Sequence, residues 1–336
     1  MGVNLPLQIV KNLTLNMKYF YCLTLLFLAN FNVFAQYEVT NTNDSGAGSL
    51  RDVITNANAS SGETITFNIA GAGPHVIIPT SAFPNLTSPM TIDGYSQLGA
   101  SENTQSVGSD AVILIEIDGV NVGGNGFTIN NTANCTIKGL SIHSFQYQGI
   151  KITGVSATNN VLLGNYIGVR TDGETAPFPT SRQSGIQINN APGNYVGDGT
   201  AAGRNVLSGN GASSPGGGID IVGVNSLNNF VLGNYIGTDE TGNTYVGNEG
   251  IGIEVRNGAS YTTIGGASVL DRNVVSGNNY IAGIFFSNGG SYNTIEGNYV
   301  GVGADGSTSI PNNGNGVRVT DANSLFNTIS ANIINN

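Results

Sequence analysis

Gly149-Ile-Lys-Ile152 returns as Gly185-Ile-Gln-Ile188, Gly218-Ile-Asp-Ile221, Gly252-Ile-Glu-Val255, Gly283-Ile-Phe-Phe286 and Gly316-Val-Arg-Val319, at spacings of 36, 33, 34, 31 and 33 residues. Each copy alternates apolar and variable positions, the period of a strand with one face buried. A glycine opens every copy and no 3.6-residue stripe appears, so a helix cannot be read from it. Between these copies falls a second series: Asn165-Tyr-Ile, Asn205-Val-Leu, Asn234-Tyr-Ile, Asn273-Val-Val, Asn298-Tyr-Val and Asn332-Ile-Ile. Its third positions, Ile167, Leu207, Ile236, Val275, Val300 and Ile334, are apolar throughout and are expected to point inward. Two coil types alternate. One carries Gly164-Asn-Tyr-Ile-Gly168 and its copies at Gly233 and Gly297; the other carries Arg204-Asn-Val-Leu-Ser-Gly-Asn210, nearly repeated over 272–278.

With a third strand such as Asn293-Thr-Ile-Glu, each coil holds three short strands. Antiparallel hairpins would need tight turns and would not superpose identical motifs. Coiling the chain instead lays each strand parallel to its copy one turn later, ~4.8 Å away. Parallel crossovers are overwhelmingly right-handed. The expected fold class is therefore all-β: a right-handed parallel β-helix over 90–336. Asparagine suits its corners, because it tolerates left-handed backbone and its amide can bond the copy above.

Upstream the pattern weakens. Gly126-Phe-Thr-Ile129 with Cys135-Thr-Ile-Lys-Gly-Leu-Ser-Ile142 makes a compact coil. Met90-Thr-Ile-Asp-Gly94 and Ile115-Glu-Ile-Asp-Gly119 are earlier strands, joined by a polar loop from about Ser96 to Asp110. Residues 36–89 read as an N-terminal cap. Within them Ser49 can cap a helix whose Leu50, Val53, Ile54 and Ala57 share one face. The chain stops inside a repeat with no atypical closing coil, which reads as truncation at the C-terminus. Residues 1–35 read as a secretory signal peptide, with an apolar run from Tyr19 behind Lys18 and a Val33-Phe34-Ala35 cleavage pattern. Met17 is an alternative start. The run is short for a membrane span and lacks a basic stop.

Loss of Lys11 and Lys18 with that segment takes the net charge from −10 to −12, which argues against nucleic acid or anionic membrane as partners. Charged residues are only 10%, against a typical ~25%, while 39% apolar residues allow a core. Of the two cysteines, Cys22 leaves with the signal, so neither a disulfide framework nor a zinc site can be built.

Ser49-Leu-Arg-Asp-Val-Ile-Thr-Asn-Ala-Asn58 resembles the Ser-Leu-Arg-X-Ala-Ile-X-X-Ala-Asn element that opens many secreted bacterial β-helix proteins. Thr91-Ile-Asp-Gly-Tyr-Ser-Gln97, Gly233-Asn-Tyr-Ile-Gly-Thr-Asp-Glu-Thr-Gly242 and the segment 272–278 are similar to that family's later elements. The resemblance implies a right-handed β-helix of the pectate-lyase-like class, carried on exported, often very large surface proteins. Many of these end in a sorting domain that this chain lacks. Most have no assigned chemistry, so the resemblance bears on fold and leaves function open.

An active site on such a fold would lie on an outward column, here Lys151, Gln187, Asp220, Glu254, Phe285 and Arg318. Asp220 and Glu254 fall on successive coils, ~5 Å apart along the backbone. Carboxylates that close raise one another's pKa, as in a glycoside hydrolase, and could also hold calcium. The competing reading is a polar surface in which one such pair arises by chance. A Gly-His-Gly and an Arg-X-Lys, which a polygalacturonase-like enzyme would show, are both missing. A second column, Tyr166, Tyr235 and Tyr299, offers either rings for sugar stacking or covers for the adjacent loops. Asp93-Gly94, Asp118-Gly119, Asp172-Gly173 and Asp305-Gly306 are turn signals first. The leading expectation is a secreted or cell-surface module, adhesin-like or glycan-binding, without catalysis or cofactor. Lys151, Arg318 and the three tyrosines are its candidate contacts. The alternative is a polysaccharide lyase or glycoside hydrolase using Asp220 and Glu254.

Overall fold

In a computed structural model, the described residues are 37–177, 183–211 and 216–335. The expected signal peptide lies outside them. Three parallel sheets of ten, nine and seven strands wrap one apolar interior, visited in turn by the chain. The ten-stranded sheet runs from Tyr37–Val39 to Thr328–Ser330, the nine-stranded from His75–Ile77 to Ile333–Ile334, and the seven-stranded from Phe127–Asn130 to Asn315–Val319. This is the parallel β-helix expected from the repeat. Strands Tyr37–Val39, Glu63–Phe67 and His75–Ile77 pair into the same sheets, so residues 37–89 are continuous with the solenoid.

Like residues stack. The column Ile137, Leu162, Val196, Val231, Ile264, Ile295 is fully buried on the ten-stranded sheet. Ile167, Leu207, Ile236, Val275 and Val300 face inward on the nine-stranded sheet, as expected. Each such side chain contributes about 1.5–3 kcal/mol by leaving water. Ile334, which belongs to the same column, is 46% exposed on the last coil. The expected helix is present at Leu50–Ala57, with the Ser49 side chain accepting from Asp52 N–H and Leu50, Val53, Ile54 and Ala57 buried against the first two strands.

Each corner carries an asparagine ladder. Between the ten- and nine-stranded sheets, Asn165, Asn205, Asn234, Asn273, Asn298 and Asn332 follow one another. The backbone N–H and side-chain Nδ2 of each donate to Oδ1 of the next, at 2.8 to 3.3 Å. A second ladder, Asn210, Asn248, Asn278 and Asn312, closes the nine-to-seven corner. A third joins Asn160 to Asn194 and Asn229, and Asn293 to Asn327, at the seven-to-ten corner. Thr262 interrupts it, and its buried Oγ1 has no hydrogen-bond partner among the described residues. At the left-handed position of that corner, earlier coils place Asn134, Asn159, Gly193 and Asn228; the last three place Tyr261, Tyr292 and Phe326. Those rings stack at 5.1 and 4.9 Å and remain exposed.

Candidate functional site

The strands Gly217–Val222 and Ile251–Arg256 lie in register, so Asp220 and Glu254 are direct neighbours on the outer side of the seven-stranded sheet. The same alternation puts Arg256 outward, two residues beyond Glu254. Its Nε and Nη2 each stand 2.9 Å from an Asp220 carboxylate oxygen, and Nε is 3.5 Å from Glu254 Oε2. Gln187 Nε2 donates to Asp220 at 2.8 Å, and Ser287 Oγ donates to Glu254 Oε1 at 3.4 Å. The two carboxylates are only 5% and 7% exposed. Glu254 Oε2 has no hydrogen-bond partner among the described residues. Burial, with the Asp220 charge beside it, pushes Glu254 up to about 7, against the pull of Arg256. One guanidinium thus serves two acids and favours Asp220.

The sequence placed Asp220 and Glu254 together correctly but missed Arg256, whose position two residues beyond Glu254 was a readable signal. Lys151 pairs with Gln187, two coils from Glu254's neighbour Asp220 counting outward, and makes no contact with the acid pair. Arg318 lies two coils beyond Glu254 with its guanidinium 5.4 Å from the Phe285 ring centroid. There the sheet opens into a shallow dish of about 310 Å³, lined by Asn279, Tyr280, Ile281, Asn313, Gly314, Asn315 and Arg318. Tyr280 is 39% exposed, and Asn279 Nδ2 reaches 2.7 Å to the hydroxyl of exposed Tyr245.

The tyrosine column has a different fate. Tyr166 and Tyr235 are 2% and 3% exposed. Gly173, Gly242 and Gly306 each lie against the tyrosine seven residues earlier, so close that a Cβ would meet it, and all three hold positive φ. Over the first two rings passes the polar loop expected at 96–110. Gly108 N–H donates to Tyr235 Oη at 2.8 Å, and Ser109 Oγ is 3.2 Å from Tyr166 Oη. No ring face is open to a sugar at Tyr166 or Tyr235; the loop-covering reading describes them. Tyr299 stays half-buried, with Arg272 4.1 Å over its ring.

A third cluster was not foreseen. Glu116 Oε1 sits 3.0 Å from His143 Nε2 and 2.7 Å from Arg170 Nη1, with Glu116 and His143 both buried. Burial alone would raise Glu116, but the close approach of the His143 ring and the charge of Arg170 hold it below the usual carboxylate range. Asp172 and Asp305 spend their carboxylates on backbone N–H groups of their own turns, at Glu174 and Thr175 and at Ser307 and Thr308. Among the described residues no group of three or more His, Cys, Asp or Glu is placed to hold a metal ion. Likewise, no described helix is long and apolar enough to cross a membrane. Cys135 is buried, with a free thiol that burial pushes up.

No family model matches the chain, and no curated protein matches it in sequence. Among solved structures, it is similar to a mutant of the periplasmic alginate epimerase AlgG at 14% identity, over 81% of this chain and 71% of that one, with a TM-score of 0.41. It is also similar to the A-module of the Azotobacter vinelandii mannuronan C-5 epimerase AlgE6, at 14% identity over 89% and 99% of the two chains, TM-score 0.32. An alginate lyase from a Paenibacillus species gives 13% identity over 86% and 97%, TM-score 0.32. Likeness at this level carries no argument about activity.

Proposed function

We propose that this chain is an exported, non-catalytic β-helix module that binds polysaccharide on the outer side of its seven-stranded sheet. The observation that carries this reading is the dish at Arg318. Asn279, Asn313 and Asn315 line it with side-chain amides, of which Asn279 and Asn313 are held in place by bonds to Tyr245 and to the Asn279 carbonyl, while Tyr280 supplies a flat ring and Arg318 a cation. Hydroxyl-rich ligands are held by such combinations of stacking and directional hydrogen bonds. Affinity electrophoresis against neutral and acidic polysaccharides tests it. Tyr280→Ala and Arg318→Ala should each weaken retention about tenfold, the scale of one good contact. Unchanged mobility of both variants on every retaining polymer would remove the dish from the reading. Export is tested by secretion of a product that begins at Gln36.

The second reading, a polysaccharide lyase or glycoside hydrolase, rests on Glu254. A buried carboxyl that keeps its proton near neutrality can donate it to a departing sugar oxygen, with Asp220 as the paired base or nucleophile. The two-bond grip of Arg256 on Asp220 and the low exposure of both acids weigh against it. New reducing ends or unsaturated products from a polysaccharide panel, abolished by Glu254→Gln, would put this reading first.

A further inference from the structure

The alternation of coil types builds one structural unit twice on the nine-stranded side. In each copy an arginine opens an Arg-Asn-Val segment, and its Nε donates to a glycine carbonyl of the next coil: Arg204 to Gly233 at 3.3 Å, Arg272 to Gly297 at 3.0 Å. Each guanidinium lies over the tyrosine ring of that coil, Arg204 on Tyr235 at 4.7 Å and Arg272 on Tyr299 at 4.1 Å. The copies differ in what they hold. Arg204 is 3% exposed, and its terminal nitrogens gather the carbonyls of Gln105, Ser106 and Gly108, while Tyr235 Oη accepts Gly108 N–H. Arg272 is half-buried, and its terminal nitrogens have no partner among the described residues. The same is true of Tyr299 Oη. Asp271 turns its carboxylate into its own loop, toward Ser268 N–H, and does not neutralise Arg272.

We infer that Arg272 and Tyr299 form a binding subsite for a carboxylate of an acidic polysaccharide. The filled copy shows that the arrangement receives several oxygens at once along the guanidinium edge. There the oxygens are neutral carbonyls, and the loop that carries them is tethered to the same chain, which gives it a high effective concentration. An untethered ligand lacks that advantage and must contribute stronger bonds. A carboxylate does so, because charge-assisted, two-pronged bonds to arginine are about twice as strong as neutral ones. The free phenol adds a donor to a carboxylate or ring oxygen. A gap of about 10 Å³, lined by Ser106, Val107, Arg204, Tyr235 and Arg272 among others, places the open copy directly beside the docked loop. The ligand would therefore lie along the solenoid, ending against Val107.

This inference rests on the glycan-binding reading and adds to it a ligand charge and a second face. The test is affinity electrophoresis of the full chain in gels containing polygalacturonate, its fully methyl-esterified form, or polyglutamate. Arg272→Ala should weaken retention by polygalacturonate about tenfold while leaving retention by the ester unchanged, with Arg272→Lys recovering only part because it keeps the charge and loses the fork. Tyr299→Phe, which removes only the hydroxyl, should weaken polygalacturonate retention about threefold. Thermal melts monitored by circular dichroism check that each variant is folded. Retention of wild type with no loss in Arg272→Ala, Arg272→Lys and Tyr299→Phe overturns the subsite and leaves the dish at Arg318 standing. No retention on either polysaccharide overturns the subsite, and no retention on the neutral polymers as well overturns the dish with it. Arg272-dependent retention by polyglutamate alone makes the site a peptide site and overturns the carbohydrate assignment.

Discussion

On the nine-stranded sheet, the outward column through Tyr166 and Tyr235 is roofed by the 96–110 loop and by one Asp-Gly or Asp-Glu turn per two coils. The outward column of the seven-stranded sheet has half-buried Lys151 and Arg318 toward its two ends and buries Asp220 and Glu254 between them. Both columns look alike in sequence, one variable position per coil flanked by apolar ones. Their different exposure comes from elements outside the repeat. A strand's alternation decides which side of the sheet a residue faces; whether that side meets solvent depends on which loops cross it and what anchors them. On the nine-stranded side the anchor is Arg204, a cation surrounded by carbonyls. On the seven-stranded side Arg256 lies within the sheet and neutralises its own neighbours.

The contrast can be broken most severely at Arg204. Arg204→Ala removes the hub of the roof and leaves several carbonyls unsatisfied, a loss of about 3 kcal/mol or more. Urea denaturation should show this, and limited proteolysis should newly cut within 103–110. Arg272→Ala, with a single backbone bond to lose, should cost less than about 1.5 kcal/mol in the same assay. Equal losses would show that the two copies carry equal structural weight.

On the other side the test is pH. The Glu254 carboxyl is raised in the folded chain to about 7 from 4.5, so the folded state holds the extra proton between those values. Stability contributed by that group is complete below pH 4.5 and falls as pH rises toward 7. Glu254→Gln, permanently neutral, should lack this fall and gain roughly 2–3 kcal/mol on wild type at pH 8 relative to pH 4. Parallel stability curves for the two proteins would mean that Arg256 and not burial governs the acid.

The corners sharpen the comparison with smaller effects. Thr262→Asn restores the missing rung of the seven-to-ten ladder, with Asn229 before it and Asn293 after, and should stabilise by about 1–2 kcal/mol in thermal or urea unfolding. Tyr261→Asn exchanges one ring stack for a residue at ease in left-handed backbone. The terms oppose, and the net change should stay within about 1 kcal/mol.

The coil architecture was legible because each buried column repeats an identical demand, once per turn, and the capping helix because Ser49 and four apolar residues state it locally. The acid pair was legible because register follows from the repeat. The roof was not. Its anchor, Arg204, and its span, Gln105 to Gly108, lie far apart in sequence and carry no periodic signal. Tyr166 and Tyr235 therefore suggested an open stacking face as readily as a covered one. The Glu116–His143–Arg170 cluster was missed for the same reason: its members sit in coils where the motif is weak, and only the fold brings them to one point. Of the seven-stranded face, the repeat announced Arg318 but not the dish, which depends on Tyr280 and on asparagines from two separate turns.

Each asparagine rung takes its oxygen and its amide in different directions. The oxygen accepts from the coil before, while the amide is split, one N–H donating to the coil after and the other to a backbone carbonyl of the coil before, as at Asn165, Asn205 and Asn234. The oxygen column thus has a fixed direction along the solenoid, set by neutral side chains in a chain where only 10% of residues are charged, and turning one amide over would cost the bonds on both sides of it.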